Sequence, residues 1–435
     1  MKLVHQSPPI RQTAVAAVIV LAFSIFAPAA SLPTEKPERL GLSSARLERL
    51  SRGMQEYIDQ GKTAGIVALV ARKGQVAYLK AFGKLDPVKG TPLPVDAIFR
   101  IASQTKAVTT VAVMMLLEEG RLLLDDPVSK YIPEFASTSV AVQAPEKDAK
   151  GYTRVPAKRP ITIRDLLTHT AGISYGDGPA ESEYVAAGVR GWFMADKPIP
   201  IGEVVKKIAT LPFNSQPGEK WVYGYNSDIL GYLIERVSGM TLSDFFARRI
   251  TGPLGMTDTH FFLPKEKIGR FTPVYGADEK GQIKLVEDPT DSFYVKGPRV
   301  CFAGGSGLLS TAGDYARFLM MLEQGGEYAG VRLLSPKTVE LLTADHAGSL
   351  YGSEGYGLGF WVTDHLGRNG QPGTVGAFGW GGAYHTIYFV DPGERLVAVL
   401  MTQLLPAGDI DLQPKFKALV YQSIVTSYEK RWEER

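Results

Sequence analysis

Hydrolysis through a serine requires a hydroxyl, a nearby base and a site for the oxyanion, and Ser103 has a candidate base close by in the sequence. Lys106 follows it by three residues, at the start of an apolar run. Three residues are about one helical turn, so both groups share a helix face. The helix N-terminus also favours a developing anion. The pattern alone fits a helix cap with a solvated lysine equally well, and it recurs at Ser427 and Lys430 in a charged tail.

Two further serines lie among glycines. The segment GISYG around Ser174 matches the nucleophile elbow G-x-S-x-G, which requires a strand before it and a helix after it. Here a short predicted helix, Thr162 to Thr170, precedes the motif, and Thr162 with Asp165 predicts a capping box. We therefore expect Ser174 to lie in a turn after a helix. Ser306, in a GGSG run, lacks an adjacent base and is at most a wall of the cleft.

The sequence contains neither a metal-binding motif nor a phosphate-binding loop for a nucleotide. The histidines, at positions 5, 169, 260, 346, 365 and 385, lack the spacing of H-E-x-x-H and similar ligand motifs. His169 is interpreted as a structural hydrogen-bond partner. The glycine-rich stretch at Tyr356 precedes the strand-like Phe360-Trp-Val, whereas a phosphate-binding loop precedes a helix. We expect neither a metal nor another cofactor.

Composition and charge exclude several classes of protein. The chain has 435 residues with 48 basic and 45 acidic side chains, and this near-balance gives no basic face for nucleic acid. The N-terminus is typical of a cleavable export signal, with a basic start, an apolar run from Thr13 to Ala27 and an A-x-A site ending at Ala29. The run is shorter than a bilayer span. We therefore expect a periplasmic or secreted protein without a stable membrane span, and the single Cys301 excludes an internal disulfide.

The elements that would position these residues follow from hydrophobic patterns. Two β-branched runs from Gly65 and Gln75 are joined by Lys73-Gly74 and predict a hairpin, and a second hairpin is predicted around the turn at Asp391. An amphipathic helix, Ser43 to Gln60, precedes the first hairpin. The other predicted helices are Ser103 to Gly120, Thr162 to Thr170, Asp228 to Gly239, Thr311 to Gly325 and Lys415 to Lys430.

Strands near both ends with helices between them predict an α+β fold, in which the termini build one antiparallel sheet and a mostly helical subdomain is inserted. The expected division is a signal peptide at 1–29 and one hydrolase domain at 30–435. Within it the sheet subdomain takes about 41–100 and 325–435, and the helical subdomain about 101–324. The final helix, Lys415 to Lys430, is expected to cover one sheet face. Pro145 to Pro160 and Lys265 to Pro298 are expected to be long loops near the cleft.

Several motifs occur together in a fixed order. Ser103-x-x-Lys106 is followed by WVYGYNSDILG from Trp221 and by FGWGGA from Phe378. Four further stretches agree: Leu166 to Ile173, Ile234 to Leu242, Pro253 to Thr259 and Gly305 to Phe318. With these motifs the chain resembles the serine β-lactamase-like family, especially class C enzymes and family VIII carboxylesterases, from about Gly41 to the last helix. The resemblance implies a β-lactamase/transpeptidase-like fold.

The resemblance also implies roles for individual residues. Ser103 would be the nucleophile, Lys106 and Tyr223 would share the general-base role, and the backbone N–H groups of Ser103 and Ala383 would form the oxyanion hole. The physical reasons are consistent, because an adjacent ammonium favours the phenolate of a tyrosine and two N–H groups stabilise the charge of the transition state. Tyr225 is a rival to Tyr223 for the base role.

Two departures from the β-lactamase pattern concern the substrate. Tyr225 stands where those enzymes carry asparagine, and Trp380 stands where penicillin-recognising enzymes carry Lys or His. Trp380 cannot pair with a carboxylate and offers an apolar wall instead. This favours neutral acyl esters or amides. The residues expected to bind the substrate are Trp380, Gly381, Gly382, Tyr225, Tyr175 and Trp361, with Phe302 and Trp192 as further aromatic candidates.

Three hypotheses therefore remain open from the sequence. The first is an exported serine hydrolase that cleaves small acyl esters or amides through an acyl-enzyme on Ser103. The second is a class C-like β-lactamase or a peptidase specific for D-amino acids. The third is a penicillin-binding-like sensor without catalytic turnover, suggested by the altered positions Tyr225 and Trp380.

Overall fold

Both predicted hairpins form in the computed structural model, which describes residues 31–87, 89–143, 151–352, 354–368 and 370–428. The first joins Gly65–Arg72 to Gln75–Asp86. Lys73 and Gly74 both have positive φ, 55° and 71°, as a two-residue hairpin turn with right-handed strand twist requires. The second joins Ile387–Asp391 to Leu396–Met401. The predicted signal peptide, residues 1–29, lies outside the described residues.

The hairpins meet in one antiparallel sheet, as predicted. The strands in chain order are β1 (Gly65–Arg72), β2 (Gln75–Asp86), β3 (Thr91–Pro92), β4 (Phe99–Arg100), β5 (Ser139–Gln143), β6 (Tyr152–Pro156), β7 (Val274–Ala277), β8 (Ile283–Glu287), β9 (Leu309–Ser310), β10 (Glu327–Tyr328), β11 (Val331–Arg332), β12 (Gly355–Tyr356), β13 (Trp361–Val362), β14 (Phe378–Gly381), β15 (Ile387–Asp391) and β16 (Leu396–Met401). The main sheet has the order β12-β13-β14-β15-β16-β1-β2-β3. Strand β1 pairs antiparallel with β16, from Val67 opposite Met401 to Arg72 opposite Leu396.

Strand β1 is buried on both faces, which explains its continuous apolar run. Because side chains alternate along a strand, Ile66 and Ala68 pack on one side with Leu50 and Phe416, and Val67 and Leu69 pack on the other. The sheet therefore lies between two helical layers. The arrangement is the predicted β-lactamase/transpeptidase-like α+β fold.

Helices cover both faces of the sheet. In chain order they are α1 (Ser44–Asp59), α2 (Thr105–Glu118), α3 (Ile163–Leu167), α4 (Glu181–Ala186), α5 (Ile201–Ala209), α6 (Asn226–Ser238), α7 (Leu242–Phe246), α8 (Phe293–Lys296), α9 (Ala312–Glu323), α10 (Pro336–Leu342) and α11 (Leu412–Tyr421). Helices α1 and α11 pack on one face, and α9 packs on the other. Among the described residues, no helix has the length and apolarity of a membrane span.

Three expectations about the connections and the last helix are wrong. Pro145 to Pro160 is not a loop throughout, because β6 (Tyr152–Pro156) pairs with β5. Lys265 to Pro298 contains the β7–β8 hairpin and the short helix α8. The final helix does cover the sheet, but it spans Leu412–Tyr421 and not Lys415 to Lys430. These charged and polar stretches contain short strands that form separate two-stranded sheets, and the last helix ends at Tyr421, which stacks on Phe389.

Candidate active site

Ser103 lies in a strand–turn–helix segment. Strand β4 (Phe99–Arg100) pairs with β9, a single 3₁₀ turn (Ala102–Gln104) follows, and α2 begins at Thr105. Ala102 has a φ of 41°, a left-handed conformation that is costly for a residue with a Cβ. The sharp turn places Ser103 half-exposed at the start of a helix whose next residues are buried. N–H groups of a first helical turn have no acceptor within the helix, so the Ser103 N–H is available to an oxyanion.

Lys106 is fully buried in the first turn of α2, and its ammonium has three acceptors. Nζ donates to Ser103 Oγ at 3.1 Å, to the Tyr175 hydroxyl at 3.1 Å and to the Gly305 carbonyl at 2.8 Å. These bonds use all three protons of an ammonium. A buried charge is costly unless it is hydrogen-bonded, and here that requirement fixes Nζ directly beside the serine hydroxyl. The S-x-x-K spacing thus brings the two groups together as predicted.

Tyr223 lies next to this pair, in the segment that leads into α6. Its ring centroid is 4.6 Å from Lys106 Nζ. Its hydroxyl accepts a hydrogen bond from Trp380 Nε1 at 3.2 Å, and the two rings are 5.6 Å apart. The ammonium therefore lies over the face of this ring, and the indole N–H donates to the phenolic oxygen. The arrangement therefore brings the predicted base residues and Trp380 to one place.

Tyr175 and Tyr225, both expected to bind substrate, have different positions. Tyr175 is half-buried, and its hydroxyl oxygen accepts a hydrogen bond from Lys106 Nζ. Tyr225 is 0% exposed behind it, and its hydroxyl donates to the backbone oxygens of Gly191 at 2.9 Å and Tyr175 at 3.3 Å. Burial raises the pKa values of both phenols. Tyr225 therefore does not line the cleft, and the expectation that it binds substrate or rivals Tyr223 is wrong: its hydroxyl fastens the loop that carries Tyr175.

The backbone after β14 approaches Ser103 from the sheet. Strand β14 ends at Gly381, and Gly382 N–H donates to the Thr386 carbonyl at 2.8 Å in the turn toward β15. A Cβ on Gly382 would lie 2.5 Å from the Ile101 carbonyl, so only glycine permits this contact. Ala383 packs in the same small apolar cluster as Ala102. The turn thus places the Ala383 backbone beside the start of the Ser103 segment, as a two-donor oxyanion site requires.

Trp361 lies on the other side of the sheet. It is directly opposite Gly379 in the β13–β14 pair, and Trp380 is the next residue along β14. Because neighbouring residues of a strand point to opposite faces, the two tryptophans face different layers. Trp361 packs against the α1–α11 side, with Lys417 Nζ 4.5 Å from its ring centroid. The prediction that Trp361 binds substrate is therefore wrong.

Ser174 and Ser306 have structural partners. Helix α3 precedes Ser174 with the predicted capping box between Thr162 and Asp165. The Ser174 hydroxyl is buried, donates to the Asp177 carbonyl at 2.9 Å and accepts from Gly176 N–H at 3.2 Å. Ser306 is buried and donates to the Trp192 carbonyl at 2.9 Å. Neither hydroxyl has a basic side chain as its partner in these bonds.

Three further candidates, two aromatic residues and one histidine, have different positions relative to this site. Trp192 packs on Tyr384 with ring centroids 5.8 Å apart, and Phe302 packs on Phe261 in a separate pocket. His169 is buried and its Nδ1 lies 2.7 Å from Asn226 Nδ2, which fits the structural role predicted for it. Burial and the nearby Lys106 lower its pKa. Within the described ranges, no cluster of His, Cys, Asp and Glu is arranged to hold a metal ion.

Asp228 is a part of the site that sequence reasoning did not identify. It lies in the first turn of α6, fully buried, and its Oδ1 accepts the Gly305 N–H at 2.9 Å. Burial raises its pKa to about 6. The same Gly305 supplies the carbonyl that holds Lys106. The signal was present only as an acidic residue in the first turn of a predicted helix, which normally indicates a helix-dipole contact at the surface.

Comparison with known proteins identifies the family of the chain. The Beta-lactamase family matches residues 50–422. The chain belongs to the Beta-lactamase family. Within that family it is 30% identical over 395 residues to esterase EstB of Burkholderia gladioli, with 86% of this chain and 94% of the relative covered. It is 29% identical over 418 residues to a putative D-alanyl-D-alanine carboxypeptidase of Escherichia coli K12, with 88% of each chain covered.

A solved structure has a similar architecture. EstCE1, described as a hydrolase with promiscuous acyltransferase activity, superposes with a TM-score of 0.75 at 26% identity, covering 87% of this chain and 98% of that one. The protein is thus a serine hydrolase of the Beta-lactamase family, with the fold predicted from its sequence.

Proposed function

We propose that the protein is an exported carboxylesterase that cleaves small neutral acyl esters through an acyl-enzyme on Ser103. The observation that carries this proposal is the contact of Lys106 Nζ with Ser103 Oγ at 3.1 Å beside Tyr223, under the indole of Trp380. Two similar proteins named as an esterase and as a hydrolase with acyltransferase activity support the reaction class. The basic start, apolar run and A-x-A motif of residues 1–29 support export to a periplasmic or secreted location.

The geometry supports a two-step acyl transfer. Tyr223, acting as a phenolate, accepts the Ser103 proton as Oγ forms a bond to the acyl carbon, while the Lys106 ammonium stays hydrogen-bonded to Oγ. The N–H groups of Ser103 and Ala383 receive the oxyanion. Collapse of the tetrahedral intermediate breaks the bond to the leaving alcohol, which takes up the proton. Water then repeats the sequence on the acyl-enzyme, releases the acid and restores the Ser103 hydroxyl.

The wall of the cleft favours apolar acyl groups. Trp221, Tyr223, Tyr351, Tyr356 and Trp380 form a cluster of ring contacts, with Trp221 stacked on Tyr223 at 5.7 Å. Among the described residues, Lys106 is the cation over a ring of this cluster, and its three protons are already bound. An aromatic wall without an available cation provides dispersion contacts and does not pair a carboxylate.

The experiment that tests this proposal measures hydrolysis of p-nitrophenyl acetate and butyrate by purified protein. We expect turnover by the wild type and by Ser174→Ala, and none above background by Ser103→Ala. Ser174 is the matched control because it is also a serine in a tight turn but contacts only backbone atoms in its hydrogen bonds. Equal activity of the wild type and Ser103→Ala would contradict the proposal.

A peptidase or β-lactamase is the second candidate, favoured by the similarity to a putative D-alanyl-D-alanine carboxypeptidase. Such substrates carry a carboxylate, which requires a cation at the position of Trp380 or elsewhere in the cleft. The same preparation is assayed with nitrocefin and with a peptide ending in D-alanyl-D-alanine. A kcat/KM for either substrate well above that for the short esters would make this second function the principal one.

A further inference from the structure

Asp228 is buried, and one of its two carboxylate oxygens accepts no hydrogen bond among the described residues. Its Oδ1 accepts the Gly305 N–H, whereas its Oδ2 is buried without a hydrogen-bond partner among the described residues. A buried carboxylate oxygen without a hydrogen-bond donor is costly to the fold. The charge of Asp228 therefore needs an explanation inside the protein.

Residue Gly305 connects Asp228 to Lys106. Its N–H donates to Asp228 and its carbonyl accepts from Lys106 Nζ at 2.8 Å. A Cβ at Gly305 would lie 2.6 Å from Asp228 Oδ2, so the close approach depends on glycine. One turn along α2, Thr109 Oγ1 donates to the Gly304 carbonyl at 2.7 Å. The glycine pair is thus held between α2 on one side and the first turn of α6 on the other.

The other titratable groups that interact with Asp228 stay neutral. They are Cys301, from the segment before Gly305, Tyr175, from the loop after α3, and Tyr225, at the start of α6. Burial raises the pKa of the Cys301 thiol to about 12 and raises the pKa values of both phenols. Lys106 is then the positive partner of Asp228, and it lowers the pKa of Asp228 against the larger effect of burial.

We propose that Asp228 is a positioning residue for Lys106: it orients Gly305, whose carbonyl anchors the ammonium beside Ser103, and its charge balances that ammonium across the glycine pair. The proposal rests on the proposed function, since it concerns the lysine whose ammonium contacts the Ser103 nucleophile there. Asp228 touches no substrate, so its effect is exerted on the rate of acylation and not on binding. We therefore expect its replacement to lower kcat and leave KM unchanged.

The test compares Asp228→Asn with Asp314→Asn. Asparagine keeps an acceptor for Gly305 N–H, removes the negative charge and places an N–H2 group where Oδ2 was. Asp314 is a matched control, because it also lies in the first turn of a helix, is buried, accepts a backbone N–H at 2.7 Å from Asp258, and has a pKa raised to about 6. Asp314 is not among the hydrogen-bond partners of Lys106, which are Ser103, Tyr175 and Gly305. Each variant is assayed for ester hydrolysis and for labelling of Ser103 by a fluorophosphonate probe, followed by intact-mass spectrometry.

The expected result is a loss of kcat of about tenfold at pH 8 for Asp228→Asn, the size of one charge-assisted hydrogen bond, and wild-type kcat for Asp314→Asn. The pH profile gives a second readout. In the wild type, kcat/KM falls as pH decreases through about 6, the pKa of Asp228, because protonation removes the charge. Asp228→Asn should lack this decrease, and Asp314→Asn should retain it.

Thermal stability separates a positioning role from a structural one. The pKa of Asp228 is raised on folding, so its contribution to stability is complete below the unfolded pKa of 3.8 and is lost as pH rises through about 6. At pH 8 the asparagine variant should therefore melt at or above the temperature of the wild type while being slower. A lower melting temperature with an unchanged pH profile, or wild-type kcat in Asp228→Asn, would overturn the proposal.

The two proposals can fail separately. If the wild type hydrolyses none of the esters but the probe labels Ser103 more slowly in Asp228→Asn than in Asp314→Asn, the esterase assignment is wrong and the role of Asp228 stands. If esters are hydrolysed equally by both variants, the role of Asp228 is wrong and the esterase assignment stands. If the probe does not label the wild type, both proposals are wrong.

Discussion

A nucleophile elbow combines the glycine spacing G-x-S-x-G with a strand before the serine and a helix after it. The segments around Ser103 and Ser174 each have one of these two features. Ser174 has the glycine spacing G-x-S-x-G, yet it follows a helix, and its hydroxyl is bound to backbone atoms. Ser103 lacks that spacing, yet it lies between strand β4 and helix α2, at a turn with a left-handed Ala102. What distinguishes them is the element on each side, and the basic group that those elements bring close.

The two segments are also connected. The loop that contains Ser174 continues into Tyr175, whose hydroxyl accepts from Lys106. The segment with the spacing of a nucleophile elbow therefore supplies a hydrogen-bond acceptor to Lys106 of the Ser103 site. The comparison shows that glycine spacing identifies tight turns, and that a nucleophile requires a neighbouring acceptor for its proton as well.

The largest expected effect comes from the two serines themselves. Ser103→Ala should lower kcat/KM for p-nitrophenyl butyrate by roughly 10⁴-fold or more, since removal of a nucleophile disables the whole catalytic unit. Ser174→Ala should retain most of the activity and lower the melting temperature slightly, because it loses hydrogen bonds in a turn. The measurement is steady-state kinetics of both variants. Activity retained in Ser103→Ala and lost in Ser174→Ala would reverse the comparison.

Lys106→Met should be nearly as damaging, with a loss of about 10³-fold in kcat. Methionine keeps the buried apolar stem and removes the ammonium that contacts Ser103, Tyr175 and Gly305. Labelling of Ser103 by the fluorophosphonate probe should slow in parallel, which measures acylation directly. Labelling at the wild-type rate would mean that Lys106 has only a structural role in the first turn of α2.

The third contrast is between two tyrosines two residues apart. Tyr223→Phe should reduce kcat by about 10²-fold, the contribution of one general acid–base group. Tyr225→Phe should instead cost about 1 kcal/mol of unfolding free energy, because its hydroxyl holds the Gly191 carbonyl at 2.9 Å. Kinetics and urea unfolding of both variants distinguish the two roles. A greater loss of kcat in Tyr225→Phe than in Tyr223→Phe would contradict the geometry of the site.

The smallest effect concerns the tryptophans on neighbouring strands. Trp380→Phe keeps an aromatic wall and removes the N–H that donates to Tyr223, so kcat/KM should fall by about five- to tenfold, the value of one hydrogen bond. Trp361→Phe should leave the kinetics unchanged, because this ring lies on the other face of the sheet. Parallel measurements with the acetate and butyrate esters provide the comparison. Equal losses in both variants would show that the effect is not local to the site.

The sequence predicted the features that depend on local patterns. The turn residues Lys73-Gly74 predicted the first hairpin, and the capping box at Thr162 predicted the helix that rules against an elbow at Ser174. The S-x-x-K spacing predicted the contact of Lys106 with Ser103. These signals depend on residues within a few positions of each other, so they are visible in one dimension.

Features that depend on tertiary packing were predicted poorly. The motif favoured Tyr223 over Tyr225 as the base, but it also predicted that Tyr225 binds substrate, and only the fold shows that Tyr225 is buried behind Tyr175. Trp361 was assigned to the wrong face, because a two-residue strand has no alternation from which to determine its orientation. Asp228 was hidden for a similar reason: its partner Gly305 lies 77 positions away.

The pairing of β1 with β16 has a consequence for how the chain folds. Val67 lies opposite Met401, so the centre of the sheet joins residues separated by 334 positions. Contacts of such long range make folding slow, because the chain loses the entropy of closing a very large loop before the strand pairing stabilises it. The layer of α1 packs against residues from both hairpins, and it cannot be completed until the last strand is available. A polypeptide leaving the ribosome therefore has to be synthesised at least as far as Met401 before this sheet is complete, and the β1 edge of the first hairpin stays unpaired until then.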